Sequence, residues 1–222
     1  MSKKTALKIS ALAVAIATAA PLTANAEVSG SLDIANQYLW RGQTLFSGGT
    51  VSGSLDYEHE SGAYAGIWLS SELDDTEYDL YVGYAGELDA LSYDVGVVHY
   101  RYSAGGELRL PGARIADANF QEAYLSLGVA DFSLTSYFGF GEFGNGSDNE
   151  DNYFVASYGT GKFGIDVGYY DFDDTSAQYG HVDVSYEVID NLSFTASTIV
   201  WEDTDDTYVK EPTFVVAYSF PF

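Results

Sequence analysis

Residues 50–60 read Thr50-Val51-Ser52-Gly53-Ser54-Leu55-Asp56-Tyr57-Glu58-His59-Glu60. Val51, Leu55 and Tyr57 fall on one side of an alternation, and Ser52, Ser54, Asp56 and Glu58 on the other. Successive side chains of an extended chain point to opposite faces, so this period of two predicts a strand with one apolar and one polar face. A turn follows at Glu60-Ser61-Gly62, and a second run starts at residue 63. Upstream, residues 27–37 carry the same pattern, with Val28, Leu32 and Ile34 against Ser29, Ser31, Asp33 and Gln37.

Extending the reading in both directions predicts twelve strands, at 27–37, 50–60, 63–72, 77–87, 91–102, 120–130, 132–140, 152–159, 163–172, 179–188, 192–201 and 212–222. No stretch sustains a helical apolar period. Short turns fall at 60–62, 88–90, 130–131, 160–162 and 189–191, and they alternate with longer loops at 38–49, 73–76, 103–119, 141–151, 173–178 and 202–211. An even strand count with short and long connections in alternation predicts an all-β fold, a single antiparallel up-and-down transmembrane barrel with the short turns in the periplasm.

Composition narrows the function classes. The chain of 222 residues has a formal charge of −24, no cysteine, 16% aromatic residues and only 4 prolines. Such a charge disfavours nucleic acid or anionic lipid as the main partner. The missing cysteines exclude disulfide frameworks and thiolate metal sites. Lys3, Lys4 and Lys8, the apolar run 9–20 and the Ala24-Asn25-Ala26 site predict a cleaved secretory signal peptide over 1–26. At roughly 12 residues that run is too short to span a bilayer, which takes about 20. Residues 27–222 then form the barrel domain, exported by the general secretory route to a bacterial outer membrane.

The predicted outward face carries aromatics at both strand ends. Tyr57, Tyr84, Tyr93, Phe132, Phe163, Tyr186, Phe194 and Phe220 fall at the short-turn end, and Tyr38, Tyr78, Phe140, Tyr169 and Phe214 at the other. Between them lie Leu32, Leu55, Ile67, Val82, Val95, Leu125, Val167 and Val184. Two aromatic girdles around an aliphatic band match a bilayer. The last strand alternates through Phe214, Val216, Tyr218, Phe220 and a terminal Phe222, the form of a strand read by the barrel-assembly machinery.

The predicted inward face holds Asp33, Asp56, Glu58, Asp79, Asp94, Glu122, Asp166, Asp183 and Glu187. It also holds Tyr64, Trp68, Tyr81, Tyr124, Tyr137 and Tyr170, and no strand interior places a Lys or Arg there. A carboxylate-lined lumen attracts cations and repels anions. Eight strands give a filled interior and sixteen to eighteen an open channel, so twelve predict a narrow pore. The expected function is passive diffusion of small hydrophilic solutes, with cation preference. Two other classes stay open: a closed structural barrel whose acidic loops bind external partners or divalent cations, and a hydrolase.

The mature stretch resembles the proteobacterial TorF-type porins, which carry a Gcw_chp-type domain. The resemblance rests on Asn36-Gln37-Tyr38-Leu39-Trp40-Arg41-Gly42, on residues 56–66 with their His59-Glu60-Ser61-Gly62, and on Asp79 to Tyr84, Ser92 to Val97 and Val167 to Asp171. It implies a porin-like barrel and no particular solute. Partners expected on this reading are outer-membrane lipid, lipopolysaccharide, the assembly machinery and small solutes or cations.

Motifs for other chemistry are weak. Gly139 to Gly144 match G-x-G-x-x-G but lead into an acidic loop rather than a helix, so no dinucleotide site is expected. The three histidines form no His-x-x-x-His pair, and Asp148, Glu150 and Asp151 fail the EF-hand spacing, so neither a metal site nor any cofactor is expected. His59-x-Ser61 has a hydrolase-like spacing but sits on a short turn, and His181-x-Asp183 lacks a visible nucleophile, so no enzyme is expected. Arg101, Arg109 and Arg114 cluster about the longest loop, 103–119. That clustering predicts that the loop folds inward and places Arg109 and Arg114 at a constriction.

Overall fold

The computed structural model describes residues 27–71, 76–103, 108–110, 113–115, 119–141, 150–172, 178–203 and 208–222, with backbone alone for 108–110 and 113–115. The predicted leader and the Arg109 and Arg114 side chains therefore lie outside the described residues. Two small hairpins accompany a closed barrel. The barrel strands are β1 (Glu27–Ala35), β4 (Thr50–Glu58), β5 (Ala63–Ser71), β6 (Thr76–Leu88), β7 (Leu91–Tyr102), β10 (Phe120–Val129), β11 (Phe132–Phe140), β12 (Asn152–Thr160), β13 (Phe163–Asp171), β14 (Tyr179–Ile189), β15 (Leu192–Glu202) and β16 (Thr213–Pro221). The hairpins are β2 (Tyr38–Trp40) with β3 (Gln43–Phe46), and β8 (Leu108–Leu110) with β9 (Ala113–Ile115).

Every barrel strand pairs antiparallel with its neighbours, and the order β1-β16-β15-β14-β13-β12-β11-β10-β7-β6-β5-β4 closes on itself. Closure removes the unpaired edges that an open sheet would expose. The strands run 9 to 13 residues, enough for a tilted crossing of a hydrocarbon core. Short turns close with a residue in the left-handed region at Asp89, Ala130, Gly161 and Asn191, as tight antiparallel connections require. At the seam, Gly30 and Phe222 exchange both backbone hydrogen bonds at 3.0 Å. Where β1 leaves the sheet, the Asn36 side chain continues the ladder. Its Nδ2 donates to the Phe214 carbonyl at 3.1 Å, and its Oδ1 accepts from Val216 N–H at 2.7 Å.

Alternation sorts the side chains as the sequence predicts. Leu32, Leu55, Val82, Val95, Leu125, Val167 and Val184 are exposed on the outer wall, as are Tyr57, Tyr84, Phe132, Phe163, Tyr186, Phe194 and Phe220 near the short turns. A continuous apolar belt of this extent suits hydrocarbon and would drive aggregation in water. Tyr38 departs from the expected outer girdle. It is buried inside the barrel at 2% exposure, because it belongs to β2 and not to a barrel strand.

Candidate functional site: the lumen and its inward hairpin

The inner wall is built of carboxylates and tyrosines that donate to them. Asp79, Glu122, Asp166 and Asp183 are buried, and Asp33, Asp56, Glu58, Asp94 and Glu187 are half-buried on the same inner face. Serines stand beside two of them: Ser31 Oγ donates to Asp33 at 2.6 Å and Ser54 Oγ to Asp56 at 2.7 Å. Tyr81 donates to Asp56, and Tyr64 donates to Asp94 at 2.5 Å while touching the Tyr124 hydroxyl. Glu187 has a more local task, accepting from Asn191 N–H at 3.1 Å and closing the β14–β15 turn. Asp166 and Asp183 stand directly opposite on β13 and β14, with His181 Nδ1 at 3.1 Å from Asp183. Two buried acids in register repel each other, and the imidazole beside them relieves part of that repulsion when it donates.

Glycines on the inner wall make room for the rings. A Cβ on Gly66 would meet the Tyr81 ring at 2.5 Å, and one on Gly96 would run into the Tyr124 hydroxyl. The tyrosines therefore lie against the wall of the neighbouring strand. Across β10 to β14 they stand in one row by direct cross-strand pairing, Tyr124–Tyr137–Tyr153–Tyr170–Tyr179. Successive ring centroids in that row are 5.7 to 5.9 Å apart, within the range for favourable aromatic pairs. Trp68 lines the same interior on β5 and packs on Tyr38 at 5.9 Å.

The inward element among the described residues is the β2–β3 hairpin. Trp40 pairs with Gln43, and the two residues between them, Arg41 and Gly42, both have positive φ at 48° and 81°. Two left-handed residues in succession make the tight turn whose twist matches its flanking strands. The tip reaches across the lumen. A Cβ on Gly42 would fall 2.5 Å from His181 on β14, while Thr44 Oγ1 lies 3.3 Å from Thr213 Oγ1 on β16. Tyr179 donates to the Arg41 carbonyl at 2.9 Å and accepts from Gln43 Nε2 at 2.8 Å. Tyr38, Leu39 and Leu45 are buried on this hairpin, which explains the apolar residues in a stretch that reads as an exposed loop.

Arg41 brings a cation into the acidic lumen. Its Nη1 and Nη2 donate to the two oxygens of Glu122 at 2.8 and 2.5 Å, and Tyr100 donates to the same carboxylate at 3.1 Å. The guanidinium carbon lies 4.3 to 5.3 Å from the ring centroids of Tyr153, Trp40, Tyr137 and Tyr170. Burial works against the charge on Arg41, and the two-oxygen pairing with the Glu122 carboxylate compensates it. The paired geometry is the bidentate fork that guanidinium makes with carboxylate.

The remaining predicted residues fall as follows. Arg101 is on the outer side of β7, its Nη1 3.1 Å from His99 Nε2. β8 lies beside β3, with Arg109 opposite Arg114 in the backbone register of the second hairpin. His59 and Ser61 are joined at 2.9 Å on an exposed short turn, where Ser61 also accepts from Ala63 N–H, the pattern of a satisfied turn. Tyr218 and Phe220 lie on the outward face of the last strand with their rings 4.6 Å apart, and Phe222 follows it, exposed. Reading the sequence missed Arg41, Trp40, Tyr153 and Tyr179. The two tyrosines lie in the inward phase of their strands and were in principle legible, whereas Arg41 lies in a loop with no alternation to read.

Solved structures give the fold a context. The chain is similar to the KdgM porin at 11% identity, with a TM-score of 0.52 over 87% of this chain and 98% of that one. It is similar also to the KdgM porin in complex with disordered oligogalacturonate, at 9% identity and a TM-score of 0.51 over 89% and 98%. No curated protein matches it in sequence. A family described as a bacterial protein of unknown function, Gcw_chp, matches residues 18–218, and the chain belongs to that family.

Proposed function

We propose that the chain is an outer-membrane channel of TorF type, a non-enzymatic pore for passive diffusion of small hydrophilic solutes, narrow and cation-preferring, with its bore set by the β2–β3 hairpin. The observation that carries this is the lumenal charge. Asp33, Asp56, Asp79, Asp94, Asp166 and Asp183 face inward, whereas the cation Arg41 is already matched by Glu122. A confined space lined this way raises the local concentration of cations and excludes anions. Arg109 and Arg114, expected at the constriction, would temper that field. A polyanion such as the oligogalacturonate of the KdgM complex is a poor match for such a wall.

On this reading the apolar belt meets lipid, and the loop end meets lipopolysaccharide. Tyr218, Phe220 and Phe222 form the strand the assembly machinery receives. The crossing hairpin favours one other reading, a closed structural barrel. Planar-bilayer recording separates the two. Wild type should open in small steps, and a variant with residues 38–46 replaced by a short Gly-Ser linker should open in larger ones. A folded barrel that gives no steps in either form would leave only the closed barrel.

A further inference from the structure

The place that Arg41 occupies is itself a built site. Tyr137, Tyr153 and Tyr170 project from three adjacent barrel strands, and Glu122 projects from the next. The cross-strand ladder fixes all four, and the hairpin takes no part in that ladder. The wall thus offers three aromatic faces and a buried two-oxygen acceptor. Ring faces carry negative potential toward a cation. A carboxylate accepting two parallel N–H bonds selects a flat fork over a spherical, strongly hydrated ion. The chemistry recognised is that of a guanidinium.

Arg41 reaches this site from an element that is separate from the barrel sheet. β2 and β3 pair only with each other, and the tip is held to the wall by the Glu122 pair, by Tyr179 and by contact with His181. We propose that Tyr137, Tyr153, Tyr170 and Glu122 form a binding site for guanidinium-bearing solutes, that Arg41 is its tethered occupant, and that a soluble guanidinium displaces the hairpin by competing for the site. The displacement of the hairpin as a gate rests on the channel reading above; the binding site does not.

Ethylguanidinium replaces the part of the side chain that Arg41→Ala removes, and it is the probe. Binding is read from the fluorescence of Trp40 in a Trp68→Phe/Trp201→Phe background and from the thermal midpoint of the detergent-folded barrel, and block is read separately in a planar bilayer. Ethylguanidinium should bind Arg41→Ala saturably, at least tenfold more tightly than ethylammonium. It should bind the Arg41→Ala/Glu122→Gln double variant at least tenfold more weakly than the single one. Wild type should need a higher concentration than Arg41→Ala, because the tethered side chain competes. Where Arg41→Ala does not fold, Arg41→Lys removes the planar fork and keeps the charge, and ethylguanidinium should bind it more tightly than wild type. Equal binding to the single and double variants, or no preference over ethylammonium, would overturn the site. Binding without any bilayer current would keep the site and refute the channel. Current without binding would keep the channel and refute the site.

Discussion

Gly42 sits against His181 so closely that a Cβ on it would lie 2.5 Å from both Cβ and Cγ of the imidazole side chain. The turn also needs φ of +81° there. The left-handed backbone favours glycine and the close approach requires it, because any other residue would carry a Cβ into the wall. Gly42→Ala should lift the tip from β14, at a cost of about 1–2 kcal/mol from the backbone alone. The expected result is a larger single-channel step and altered tryptophan fluorescence, and an unchanged step would detach the hairpin from any role in the bore.

The Arg41–Glu122 pair has both side chains almost fully buried. Removing one partner of such a pair leaves a stranded charge, which typically costs about 3–5 kcal/mol, while replacing both with apolar groups is often neutral. Glu122→Gln should therefore lower the urea midpoint of the vesicle-folded barrel. Arg41→Met/Glu122→Met should recover most of the loss.

The outer wall at Val167 and the inner wall at Ser157 lie on paired strands with opposite orientation. An arginine on the lipid side at mid-membrane costs roughly 2–4 kcal/mol. Val167→Arg should impair folding into lipid vesicles by that order, whereas Ser157→Arg, facing the acidic lumen, should fold nearly as well as wild type. Equal penalties would contradict the assigned faces.

At the seam, a Cβ on Gly30 would meet the Ser54 carbonyl at 2.7 Å and the Phe222 ring at 2.8 Å. Gly30→Ala should push the last aromatic off β1 and slow closure. The fraction of heat-modifiable folded barrel on a gel should fall, and deletion of Phe222 should act in the same direction.

The barrel strands were legible because a two-residue period needs only one correct face to fix all the others. The stretch 163–172 illustrates this: Asp166, Gly168 and Tyr170 face in while Val167 and Tyr169 face out. The same rule holds for charge, since no Lys or Arg of the described barrel strands faces inward. It fails where the ladder stops. Tyr38 reads as part of an outer girdle and 38–49 as a loop, yet the hairpin turns Tyr38 and Leu39 into the lumen and carries Arg41 with them. Tyr153 was hidden by its neighbour Phe154, since adjacent aromatics leave the phase of a strand end ambiguous. Contacts such as Arg41 to Glu122 span 81 residues of sequence, and no local pattern records them.

The most direct test of the acidic, hairpin-narrowed pore is its reversal potential across a KCl gradient at low ionic strength and neutral pH. Lumenal carboxylates act over about 10 Å at 0.1 M salt and about 3 Å at 1 M. The account predicts a potential displaced toward the potassium equilibrium value, shrinking as salt rises. A displacement toward the chloride value would contradict it.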